Sequence, residues 1–186
     1  MKTALILVDL QNDYFPGGSM ELVGMNAAGA IAAQLLGFFR ENKWPTYHIQ
    51  HISIQKRATF FLPDTDGAKI HESIKPLPDD IVVQKHYPNS FRETDLYEHL
   101  SAAAVKRVVI CGAMSHMCID ATTRAAADLG FGCMVVHDGC ATRDLEFGGK
   151  TIPAADVHGS FMSALGSAYA KVLSFQDFQE QADNFK

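Results

Sequence analysis

The sequence predicts an α/β fold built on a mostly parallel sheet of about six strands, covered by helices on both faces. Three observations predict it. Short apolar runs rich in branched residues recur along the chain, the first being Ala4-Leu5-Ile6-Leu7-Val8. Stretches with apolar residues at helical spacing separate those runs in strict succession. No repeat or linker divides the 186 residues, so residues 1–186 are expected to form one domain. Strands joined by helical crossovers pair in parallel, and helices on both faces bury them on both sides.

Each element follows from its local pattern. Ala4 to Val8 is continuously apolar and is bounded by the polar cluster Asp9 to Asp13, as a doubly buried strand reads. Pro16-Gly17-Gly18 marks a loop. Ile31, Leu35, Leu36 and Phe39 place the first helix at Met25 to Glu41, although its interior glycines weaken it. Pro45 to Ile52 reads as the second strand, its alternation interrupted by His48 and His51. Arg57 to Pro78 is a long loop with room for a short helical turn, and loops of that length in a compact domain are more often functional than idle.

Ile81 to Gln84 is the third strand, ended by Lys85, and Thr94 to Ala104 a helix with Thr94 as its N-cap. Val108 to Cys111 is the fourth strand, stopped by Gly112. Cys118 to Leu129 reads as a helix closed by Gly130, and Cys133 to Val136 as the fifth strand. Asp138 to Gly149 is turn-rich. Ala154 to Tyr169 is a long helix, Lys171 to Leu173 a last short strand, and Phe175 to Gln181 a terminal helix.

Composition narrows the function classes. A net charge of −5 with no basic patch speaks against a nucleic-acid partner. No run approaches the ~18 apolar residues of a membrane span, and the apolar start stops at Asp9, too early for a signal peptide. Cys111, Cys118, Cys133 and Cys140 show no CxxC spacing, which fits reduced thiols and a cytoplasmic location.

In open α/β sheets the ligand crevice lies beyond the carboxyl ends of the strands, where strand order reverses. Asp9 ends the first strand, Lys85 ends the third, and Cys118 follows the fourth. A carboxylate can take a thiol proton, an ammonium can hold thiolate and carboxylate by charge, and the thiolate can attack. At the start of a helix, Cys118 would meet unpaired N–H groups that favour the thiolate and could bind an oxyanion. Each residue also has an ordinary reading: Asp9 as a turn residue, Lys85 as a solvated strand end, Cys118 as small core filler.

The stretch Ala4-Leu-Ile-Leu-Val-Asp9-Leu-Gln-Asn-Asp-Tyr14 resembles the opening motif of the isochorismatase-like cysteine hydrolases. Lys85 with Ser90-Phe91, Gly112-Ala-Met-Ser-His-Met-Cys118-Ile-Asp-Ala-Thr122, Arg124, Val135 to Asp138, Ala141-Thr142-Arg143-Asp144 and His158 continue the match in order, from residue 4 to about 173. The resemblance implies a three-layer αβα, Rossmann-type fold with Asp9, Lys85 and Cys118 as catalytic triad. It also implies a cis peptide between Ala113 and Met114, and an oxyanion hole from the N–H groups of Met114 and Cys118. The implied chemistry is hydrolysis of a small-molecule amide or ureido bond through a thioester. Tyr14 stands where the family has a pocket aromatic, and Phe15, His51, Phe91 and His116 are further candidates for the pocket wall. A homodimer or homotetramer is expected from the resemblance alone.

Departures shape the reading. Metal-binding nicotinamidases of the family carry Asp-x-His after the second strand, and Tyr47-His48-Ile49-Gln50-His51 lacks that Asp. His48 and His51, three apart on a strand, point to opposite faces, so neither a metal nor another cofactor is expected. Members that cleave the isochorismate vinyl ether lack the nucleophilic cysteine, which leaves that chemistry, and a non-catalytic binder on the same fold, as the alternatives. A redox-active thiol is weakened by the lack of a resolving cysteine at short spacing. Arg124 and Arg143 could meet a substrate carboxylate or serve in caps and salt bridges. Gly148-Gly149-Lys150-Thr151 lacks the first glycine of a P-loop, and Ser115 lacks the flanking glycines of a nucleophile elbow.

Overall fold

Strand β1 (Thr3–Val8) is buried along its whole length, and the sheet grows outward from it on both sides. The computed structural model describes residues 1–182. After β1 come α1 (Met25–Glu41), β2 (Thr46–His51), β3 (Ile81–Lys85), α2 (Leu96–Ala102), β4 (Arg107–Ala113) and α3 (Asp120–Asp128). The chain continues through β5 (Gly132–Ala141), β6 (Leu145–Phe147), β7 (Lys150–Ile152), α4 (Ala154–Ala168), β8 (Lys171–Leu173) and α5 (Phe175–Ala182). Six strands form one parallel sheet in the order β3-β2-β1-β4-β5-β8. The chain first winds outward from β1 to β3 and then returns to place β4 beside β1. The order therefore reverses between β1 and β4, and their carboxyl ends open the crevice that Asp9 and Cys118 follow.

Side-chain alternation along β2 shows the layering. Tyr47 turns to one face, where its hydroxyl donates to the His99 carbonyl of α2 at 3.4 Å. His48 turns to the other, where Asp80 and Arg40 of α1 meet it. On that second face α5 joins α1 through Phe178, whose ring stacks on Phe39 and meets Phe38 edge-on. On the first face α3 lies against α4, with the Arg124 guanidinium over the Tyr169 ring. Fully buried Leu35, Leu36 and Phe39 show why the glycines of α1 do not undo it: its apolar stripe is held by tertiary packing.

Three stretches differ from the sequence expectation. The turn-rich segment is strand as far as Ala141, because Cys140 and Ala141 pair with Gly112 and Ala113 beyond a register shift in β4. It then forms the hairpin β6–β7 around Gly148 and Gly149, both at positive φ. Thr94 does not begin α2. Asp95 occupies the cap position, and the Thr94 hydroxyl is spent on the Ser90 carbonyl at 2.6 Å. The helix expected from Cys118 is divided into a π-helical turn, Ser115–Ile119, and α3. The short helical turn expected in the long loop is the 3₁₀ turn Glu72–Ile74.

Gly112 decides how closely β4 meets β1. It sits at φ +127°, and a Cβ there would overlap the Val8 carbonyl. Left-handed strain and a backbone clash each cost roughly 1–3 kcal/mol. Gly112→Ala is therefore expected to lower stability by roughly 2–4 kcal/mol, read as a reduced urea midpoint at unchanged m-value.

Candidate active site

The three strand-end residues meet. The Lys85 ammonium lies 2.7 Å from Asp9 Oδ2 and 3.2 Å from Cys118 Sγ. Asp9 and Lys85 are 0% exposed and Cys118 is 4% exposed, so the group is almost wholly dry. Lys85 belongs to edge strand β3, two strands away from β1. Parallel strands lie ~4.8 Å apart, so an extended lysine side chain running across the end of β2 can span most of that gap. A shorter cation could not.

Burying an ammonium demands acceptors for its protons. Besides Asp9 and Cys118, Lys85 Nζ donates to the Tyr87 carbonyl at 3.0 Å and reaches the Pro88 carbonyl at 3.4 Å and His51 Nδ1 at 3.1 Å. Burial pulls the Lys85 pKa down, yet the charges of Asp9 and Cys118 and their hydrogen bonds outweigh it and leave the ammonium more basic than usual. Burial pushes the Cys118 thiol well up, Asp9 adds to that, and Lys85 opposes it. The resting pair is thus carboxylate and ammonium beside a neutral thiol. Asp9 itself sits at φ +52°, an uncommon conformation for a side chain with a Cβ, and its Oδ1 has no hydrogen-bond partner among the described residues.

Around Cys118 the backbone is unusual. The Ala113–Met114 peptide bond is cis. The Met114 carbonyl accepts from the N–H groups of Met117 at 3.0 Å and Ile119 at 3.2 Å, which closes the π-helical turn. Cys118 therefore lies within the turn that leads into α3, and the N–H groups on either side of it are already taken. The turn is anchored by two side chains: Ser115 Oγ to His158 Nδ1 of α4 at 2.9 Å, and His116 Nδ1 to Thr142 Oγ1 at 2.6 Å. His158, Thr142 and Ala141 also line a neighbouring cavity of about 220 Å³.

The pocket candidates separate. Tyr14 is buried against Phe60 and Phe61, and burial followed by the charges of Cys118 and Asp9 keeps its phenol protonated far above the usual range. His51 is at the site, with its ring beside Phe61. His116 is on the Thr142 side, where Arg143, exposed and close enough to influence both it and Tyr14, also stands. Phe15 does not face the trio: its ring stacks on His71 at 3.5 Å and presses against Gly29 of α1. Phe91 is likewise displaced, because it stacks on Phe131, which precedes β5 at the opposite end of the sheet. Arg124 is taken up by Asp120, at 2.9 and 3.0 Å from its two carboxylate oxygens.

His48 and His51 do not share a ligand sphere. His48 lies on the α1 face, 3.5 Å from Asp80 Oδ2. Asp9, His51 and Cys118 each bring one ligand atom within 4.8 Å of the others. The Lys85 ammonium already contacts all three residues, so a divalent cation there would have to expel a buried positive charge.

Two buried polar residues that pattern reading passed over build the frame. Gln11 donates to the carbonyls of His51 at 2.9 Å and Ala68 at 2.8 Å, and accepts from the His51 N–H at 2.7 Å. Asp13 accepts from the N–H groups of Phe61 at 2.6 Å and Ser19 at 3.1 Å, and a Cβ on Gly67 would overlap its carboxylate. Together they tie the long loop to the end of β1. Ser90 and Thr122, joined at 2.8 Å, do the same for the loop that supplies the Tyr87 and Pro88 carbonyls. The signal in the sequence was the dense polar cluster directly after a doubly buried strand.

Comparison with known proteins shows the family. The Isochorismatase domain model matches residues 3–154. The chain is 49% identical to the isochorismatase family protein YddQ of Bacillus subtilis, over 96% of this chain and 99% of that one. It is 28% identical to the ureidoacrylate amidohydrolase RutB of Variovorax paradoxus, over 84% of this chain and 73% of that one. A solved isochorismatase-type hydrolase from Oleispira antarctica superposes with a TM-score of 0.91 at 53% identity, covering 95% of each chain.

Two outcomes follow from the electrostatics. Lys85→Met leaves Asp9 buried without its partner and should cost about 3–5 kcal/mol at neutral pH, measured by urea unfolding. Burial lowers the pKa of both His48 and His51 to about 4, below the ordinary 6.5, so the unfolded chain binds protons that the folded chain refuses. Stability should therefore be full above about pH 6.5 and fall as the pH drops toward 4, by on the order of 1–3 kcal/mol per histidine. His48→Gln should flatten that slope.

Proposed function

The chain belongs to the isochorismatase family, and from that premise we propose that it is a cysteine-dependent hydrolase of small-molecule amide or ureido C–N bonds. The observation that carries this reading is the buried ammonium of Lys85 shared between the Asp9 carboxylate and the Cys118 thiol, at 2.7 and 3.2 Å. Taking both charges out of water is costly, and a nucleophilic catalyst can use the pair to move a proton from the thiol and hold the charge left on sulfur. Similarity to an enzyme whose name specifies a ureido substrate supports the bond class.

Asp9 removes the Cys118 proton as the sulfur attacks the carbonyl carbon, and Lys85 balances the charge that moves from oxygen to sulfur. The N–H groups of Met114 and Cys118 hold the oxyanion of the tetrahedral intermediate. Asp9 then passes its proton to the leaving nitrogen, and the C–N bond breaks to leave a thioester on Cys118. A water molecule that Asp9 deprotonates attacks the thioester, releases the acid and returns the proton to sulfur. Tyr14 and His116 form the wall of the substrate pocket, with His51 beside the reacting groups.

A panel of amides and carbamoyl compounds, read for ammonia release and for an acyl adduct on Cys118 by mass spectrometry, tests the reading. Cys118→Ala should abolish turnover, at least 1,000-fold as an order of magnitude, and keep the fold, seen as unchanged circular dichroism. Wild-type hydrolysis by that variant would defeat the assignment.

A further inference from the structure

His51 touches the trio and takes no part in the bond-making and bond-breaking steps of the reaction. Its placement is well determined by the chain. It pairs in register with Lys85 across β2 and β3, and Gln11 grips both its N–H and its carbonyl. Its ring Nδ1 lies 3.1 Å from the Lys85 ammonium, against 3.8 Å from Asp9 Oδ2. An ammonium has protons to give and no lone pair to receive with, so Nδ1 must be the acceptor. The proton of the neutral ring is then on Nε2.

From this contact we infer that His51 is a positioning residue for Lys85, locked as the neutral Nε2–H tautomer, and that it holds the ammonium ready for the sulfur. The inference rests on the proposed roles of Lys85 and Cys118. Lys85 has three protons and five acceptors within 3.4 Å: Asp9, the Tyr87 and Pro88 carbonyls, His51 Nδ1 and Cys118 Sγ. A neutral thiol is a weak acceptor, so in the resting state Asp9, Tyr87 and His51 take the three protons. When the Cys118 proton moves to Asp9, the sulfur becomes a thiolate and the strongest new acceptor nearby. The N–H that pointed at His51 swings to sulfur, and Lys85 keeps all three protons throughout. His51 at 3.1 Å is a nearer third acceptor than the Pro88 carbonyl at 3.4 Å, and so orients the dry ammonium before the thiolate exists.

The ring can do this only while neutral. A protonated His51 would set a second cation 3.1 Å from Lys85 and remove the lone pair. The ionisable groups that face it are Lys85 and His86 at the end of β3, Asp9 after β1, and Cys118. Burial and the two basic neighbours oppose its protonation, and Asp9 favours it less than they do.

Nitrogen-15 NMR of labelled histidines in the wild-type protein tests the tautomer directly, with the resonance assigned by its loss in His51→Gln. The expected signature is an unprotonated Nδ1 and a protonated Nε2, unchanged from about pH 8 to about pH 5.5. An Nδ1–H tautomer, or titration near the ordinary value, overturns the inference. The functional readout is alkylation of Cys118 by iodoacetamide, followed by mass spectrometry. His51→Ala should slow it about 10-fold and lower kcat by a similar factor with KM nearly unchanged, whereas His51→Gln, whose amide oxygen can accept from Lys85, should recover most of both. Equal alkylation in wild type and His51→Ala, or no recovery with Gln, sinks the proposal. A protein that hydrolyses no amide yet shows the tautomer and the alkylation pattern would remove the hydrolase reading and leave this one standing.

Discussion

A buried ion pair between Asp9 and Lys85 is the constraint on which the rest depends. Removing a carboxylate and an ammonium from water costs several kcal/mol each, and their attraction offsets that only when the remaining lone pairs and protons find partners. The fold supplies those partners at the ammonium: two backbone carbonyls from the loop after β3, an imidazole nitrogen at the end of β2, and a sulfur after β4. It does not supply them fully at the carboxylate, where Oδ1 is left without one among the described residues.

That pair dictates much of the surrounding architecture. β4 must lie close to β1 for the Cys118 turn to approach Asp9, and Gly112 allows it because no Cβ intrudes on the Val8 carbonyl. Lys85 must cross the end of β2, so β2 has to stop at a fixed height. Gln11 sets that height by gripping His51 from both sides. The long loop must exclude water, and Asp13 fastens it at Phe61, whose ring then lies against Tyr14 and His51. The buried side chains of Gln11 and Asp13 engage each of their polar atoms, so they specify one arrangement of loops.

Local structure leaves its mark in the sequence, and structure set by distant contacts leaves none. The apolar run of β1, the helical stripe of α1 and the polar stop at Asp9 each follow from spacing, because a doubly buried strand and an amphipathic helix leave periodic marks. The β6–β7 hairpin left no such mark. Its strands are three residues long and its Phe147 is 81% exposed, so neither alternation nor burial distinguishes it from turn. The spacing predicts a helix only from Cys118, and the π-helical turn that begins at Ser115 leaves no mark of its own, since one extra residue in a turn does not alter composition. Phe15 and Phe91 are candidates for the pocket wall from the sequence. Their rings face His71 and Phe131 instead, because neighbouring side chains in a loop need not point the same way.

The sequence by itself determined the order of strands and helices and the residue types that stand at the strand ends, because both are written in periodicity and in the abrupt change from apolar to polar. It also determined which family motif the chain resembles. Only the tertiary structure decided which polar groups meet. Residues 9, 51, 85 and 118 are brought within a few ångströms by strand order, register and the reach of one lysine, none of which any local stretch encodes. The tautomer of a histidine is decided later still, by the single proton donor that packing sets against one of its two nitrogens.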